Sequence, residues 1–186
     1  VLRQFRVSYP PARILLATCV FLCTSGAALA DAAIERFVGS FTGSAGIVRS
    51  EGMSTKRDMS VRISETKRGF NVTWTSTSYR SDGRAKDKTY SIDFAESERD
   101  GVYAAAMQRN VFGHDGQLDP MKGEPYVWAR IKNDTLTVFS MFVTDDGGYE
   151  MQQYNRTLAE GGLMLEFHNL LNGEPQRSVK TFLERE

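Results

Sequence analysis

Residues 69–94, GFNVTWTSTSYRSDGRAKDKTYSIDF, decide the fold. Phe70, Val72 and Trp74 alternate with Asn71, Thr73 and Thr75. Beyond Asp82-Gly83 the same period returns, with Tyr90, Ile92 and Phe94 set against Thr89, Ser91 and Asp93. A period of two turns one apolar face of each strand to a core and one polar face to water. Asp-Gly supplies the positive φ of a tight turn without steric cost at the glycine, so the segment reads as a β-hairpin.

Working outward, further turn signals fall at Glu51-Gly52, Lys67 to Gly69, Asp100-Gly101, Gly113 to Glu124, Asn133-Asp134, Asp145 to Gly148, Glu160 to Gly162 and Asn172-Gly173. With Asp82-Gly83 these nine turns separate about ten strands, and the spacing leaves strands of roughly 8 to 12 residues. Leu163, Leu165 and Phe167 repeat the alternation. The one stretch that resembles a helix, Tyr103 to Gln108 with its alanines, is flanked by Val102 and Val111, which favour a strand. Long consecutive strands joined by short turns suit a meander, and a meander of this size removes its open edges by closing. The expected fold is all-β: an antiparallel up-and-down meander of about ten strands closed into a barrel, residues 31–186.

Strands around 126–143 depart from the simple pattern. Tyr126 and Trp128 oppose Val127, Ala129 and Ile131, while Leu136, Val138 and Phe142 oppose Phe139, Met141 and Val143, so both faces are apolar. A barrel wall needs one such face, and the second calls for cover by the chain, a ligand or a partner.

Residues 1–30 differ in composition. Arg3, Arg6 and Arg13 precede the apolar run ILLATCVFL at 14–22, and Ala28-Leu29-Ala30 has the small-x-small pattern of a cleavage site. The run is about half of the ~20 apolar residues a membrane helix needs. The expectation is a cleaved signal peptide, a periplasmic or secreted product beginning at Asp31, and no membrane span thereafter. Both cysteines, Cys19 and Cys23, would leave with the signal. Without its three arginines the chain keeps 20 basic against 23 acidic residues, a charge of about −3. That balance, with no cluster of Lys and Arg free of acids, disfavours nucleic acid as a partner.

Residues 37–47, FVGSFTGSAGI, resemble the opening strand of calycin-type barrels, the group containing lipocalins and fatty-acid-binding proteins. There a Gly-x-Trp element packs at the closed end, often beneath an Arg of the last strand. Here Phe41 stands at the Trp position of Gly39-x-Phe41, and Arg185 is placed to act as that Arg. The resemblance implies an exported, bacterial lipocalin-like domain. Read without any family, Gly39, Gly43 and Gly46 allow a strand to coil or another backbone to approach closely.

Catalytic and metal signatures are sparse. No serine sits in a Gly-x-Ser-x-Gly elbow, and Ser40 and Ser44 lie on the opening strand. His114 has Asp115, Asp119 and Glu124 near it, yet the spacing matches no calcium loop and reads as a solvated loop. His168 shares a strand face with Glu166, which points to solvent. An enzyme is the disfavoured reading, and no cofactor, metal or catalytic residue is assigned. The favoured function is binding of a small apolar ligand inside the barrel, lined by Trp74, Tyr90, Phe94, Tyr126, Trp128, Tyr149 and Met151, with Arg130 or Gln153 orienting it. The alternative is a non-catalytic structural or interaction module of the cell envelope, forming a homodimer through strands 126–143.

Overall fold

The computed structural model describes residues 33–48, 54–79, 82–106, 108–109, 115–116 and 118–186. The proposed signal peptide, the Glu51-Gly52 turn and His114 lie outside the described residues. Ten antiparallel strands form a closed barrel. In chain order these are β1 (Gly39–Val48), β2 (Ser54–Thr66), β3 (Gly69–Tyr79), β4 (Ala85–Glu96), β5 (Val102–Ala105), β8 (Tyr126–Lys132), β9 (Thr135–Val143), β10 (Tyr149–Ala159), β11 (Gly162–Leu171) and β12 (Glu174–Arg185). β6 (Gln108–Arg109) and β7 (Asp115–Gly116) make a separate small hairpin between β5 and β8. Neighbours in the wall are neighbours in sequence, and β12 closes on β1 through Phe41 opposite Arg185.

The hairpin of residues 69–94 forms as read, with Trp74 opposite Tyr90 and Val72 opposite Ile92. Its outward side carries a polar ladder: Asn71 to Asp93 at 2.7 Å, Thr73 to Ser91 at 2.7 Å and Thr75 to Thr89 at 2.8 Å. The alanine-bearing stretch is strand over Val102–Ala105, shorter than expected because β5 is only four residues long. Two short helical pieces were not anticipated, a turn at residues 33–35 and a 3-10 turn at Pro120–Lys122. The second has proline inside its first turn, Asp119 capping Met121 N–H at 3.0 Å, and Gly123 in the left-handed region to end it.

One end of the barrel is filled. Phe70 stacks on Phe94 with centroids 5.2 Å apart and meets Tyr103 edge-on at 4.9 Å. Ile34 and Phe37, from the segment before β1, are buried in the same core, so the chain plugs its own barrel end. Arg36 pairs with Asp134 in the β8–β9 turn and holds the plug from outside. The contact that the calycin resemblance implied is present: the Arg185 guanidinium lies 4.6 Å from the Phe41 ring centroid, and its Nη1 donates to the Val38 carbonyl at 2.6 Å. Gly39 and Gly43 make room for this closure. A Cβ on Gly39 would strike the Arg185 guanidinium, and one on Gly43 would meet the Phe182 carbonyl and lie 2.8 Å from Leu183 Cδ2.

Candidate functional site

Side chains directly opposite each other in an antiparallel pair share a face. Row by row, the register therefore fixes which residues enter the barrel. Phe41, Val61, Trp74 and Tyr90 form one inward row. Across the barrel Leu136, Arg156, Leu165 and Thr181 form another. Towards the end away from the plug the rows change character. Met59, Ser76 and Lys88 come next, followed by Arg57, Ser78 and Lys86. Opposite them are Tyr154, Phe167 and Val179, then Gln152, Asn169 and Arg177.

These rows enclose a cavity of about 230 Å³, open at the unplugged end. Its walls are aromatic. Trp74 stacks on Tyr90 at 5.2 Å and touches Tyr154 at 5.5 Å, and Tyr154 packs on Phe167 at 4.7 Å. Its charged lining is entirely basic: Arg57, Lys86, Lys88, Arg156 and Arg177 line it, and among the described residues no carboxylate does. Glu150, at the inward position of β10 beyond Gln152, accepts from Gln152 Nε2 at 2.8 Å and Asn169 Nδ2 at 3.0 Å and is held by them.

Arg156 is the feature that ordinary packing does not explain. It is fully buried, at 0 % exposure, and its Nε and Nη1 have no hydrogen-bond partner among the described residues. Its guanidinium sits 5.5 Å from the Trp74 centroid and 5.7 Å from that of Tyr154, contacts that offset part of the cost of burying the charge and leave these donors unused. Burial pushes its pKa down to about 10, so it carries its charge at neutral pH. The Tyr154 hydroxyl is pushed up to about 12, chiefly by burial, and stays protonated as a neutral hydrogen-bonding group. A buried cation with unused donors, aimed into an aromatic cavity, can take an anionic group.

The nine residues singled out from sequence divide by face. Trp74 and Tyr90 line the cavity, and Phe94 belongs to the filled end, at 1 % exposure. Tyr126, Trp128, Arg130, Tyr149, Met151 and Gln153 point away from the interior, because Val127 and Ala129 occupy the inward positions of β8 and Gln152 and Tyr154 those of β10. Five of the six come together in one outer patch with Phe139 and Met141: Trp128 stacks on Phe139 at 4.8 Å, Tyr126 meets Trp128 at 5.8 Å, and Arg130 lies over Phe139 at 5.7 Å. Tyr149, opposite Val143, extends the patch along β9. The 3-10 turn Pro120–Lys122 also packs beside β9. Sequence reasoning missed Tyr154, Arg156, Phe167 and Arg177. The signal lay in Leu158, whose apolar side chain beside the Glu160 turn sets the inward parity 158, 156, 154. In comparison with known proteins, the chain matches no family model and no curated protein.

Proposed function

We propose that this is a lipocalin-like carrier or sensor that binds a small anionic molecule with an apolar body in the open half of its barrel. The observation that carries the reading is Arg156: an unpaired buried guanidinium costs stability, and a fold keeps one where a ligand completes it. Trp74, Tyr90, Tyr154 and Phe167 supply the apolar surface. Export to the periplasm or beyond, by removal of residues 1–30, belongs to the same proposal. It predicts a mature N-terminus at Asp31 by mass analysis of the secreted protein, and an intact start at residue 1 would refute it.

Native mass spectrometry of protein purified from its host tests the binding. The expected spectrum shows a co-purified small molecule that disappears in Arg156→Met while the fold persists. A ligand retained equally by the variant would place binding elsewhere. The second reading, an envelope interaction module, is favoured by the outer Trp128–Phe139 stack. It predicts a defined oligomer and no small molecule in the same spectrum.

A further inference from the structure

The vertical order of charges in the cavity specifies the ligand further. Arg156 lies level with Trp74, whose ring it faces. Lys88 and Lys86 follow Tyr90, the stacking partner of Trp74, at two and four residues nearer the mouth on the same face of β4. At about 3.4 Å per residue they stand roughly 7 and 14 Å above the Trp74 row. On the opposite wall Arg177 stands one inward position beyond Phe167, with its guanidinium 5.2 Å from that ring. Between the deep cation and these outer ones lies an aromatic sleeve without a carboxylate among the described lining residues. The cavity volume of about 230 Å³ falls below the about 300–1,000 Å³ of ordinary small-molecule pockets, which suits a compact body.

Resting on the reading of the barrel as a binding site, we propose that its ligand is a compact dianion: a flat apolar or aromatic body with acidic groups at opposite ends. One acid takes the unused donors of Arg156 and the other lies among Lys86, Lys88 and Arg177. A monoanion would leave the outer cations idle, and a neutral ring would leave Arg156 unpaired.

Calorimetric titration of the folded protein with naphthalene-2-carboxylate, naphthalene-2,6-dicarboxylate and naphthalene-2,6-dicarboxamide separates these cases. The dicarboxylate is expected to bind about tenfold tighter than the monocarboxylate, since several exposed ion pairs of modest individual strength add, and the diamide is expected not to bind. The double variant Lys86→Gln/Lys88→Gln should bring the dicarboxylate close to the monocarboxylate, whose own affinity should not change. Equal affinities for the two acids, both lost in Arg156→Met, would overturn the dianion while leaving the binding reading intact. If neither acid binds, or if the diamide binds as well as the acids, both proposals fall.

Discussion

At the scale of single residues, Arg156 sets the proposed anion binding against stability. Its guanidinium is charged at neutral pH in the folded and unfolded states alike, and only the folded state removes it from water. The lowering from 12.5 to about 10 has burial as its main cause, so the penalty is fully present below pH about 10 and relieved only as pH rises towards 12.5. Arg156→Met removes that penalty and gives up two contacts with aromatic rings, each worth about 0.5–2 kcal/mol. The expected net effect is a gain of about 1–2 kcal/mol in urea unfolding together with loss of anion binding. A destabilised variant would mean that the unliganded protein already satisfies the guanidinium. The same group fixes a pH profile: anion affinity should be flat between about pH 6 and 9 and fall as pH rises through about 10, where Arg156 loses its proton.

Elements were more legible in the sequence than faces were. Asp82-Gly83, Asn133-Asp134 and Asn172-Gly173 mark turns because their residues tolerate the left-handed backbone, with φ values of 80° at Gly83 and 54° at Asn133. The strands between them follow from the alternation. What alternation does not settle is direction where both faces are apolar. β8 presents Tyr126 and Trp128 to the outside and Val127 and Ala129 to the inside, because the smaller side chains fit the crowded filled end. Arg130 and Gln153, chosen from sequence to orient a ligand, follow that parity outward, and Arg156 three residues on from Gln153 takes the inward place. β1 shows the glycine reading at work. Gly43→Ala would drive its Cβ into β12 and should cost about 2–3 kcal/mol in urea unfolding. Gly83→Ala, with nothing within 4 Å of its Cβ and only the left-handed backbone to strain, should cost about 1 kcal/mol. Equal losses would remove close β1–β12 approach as the reason for the glycine.

Across the whole molecule, two apolar surfaces sit back to back in the wall made by β8, β9 and β10. The inner one, with Leu136 and Val138 fully buried, is spent on the core. The outer one, centred on the Trp128–Phe139 stack, is not needed to close the barrel, and it contrasts with the hydrogen-bonded Thr, Ser and Asn ladder outside β3 and β4. Burying it between two molecules would gain about 25 cal/mol per Å² of apolar area, whereas a charge placed there would be stranded on association. Met141 tests this, since it lies opposite Tyr126 on one side and Met151 on the other and points away from the core. Met141→Lys should leave the barrel folded, shifting urea unfolding by less than about 0.5 kcal/mol, because its side chain is outside the core. If the patch is a contact between copies, sedimentation of the wild type should show a dimer and that of the variant a monomer. If both sediment as monomers of equal stability, the chain itself covers the patch, and the cavity around Arg156 alone carries the function.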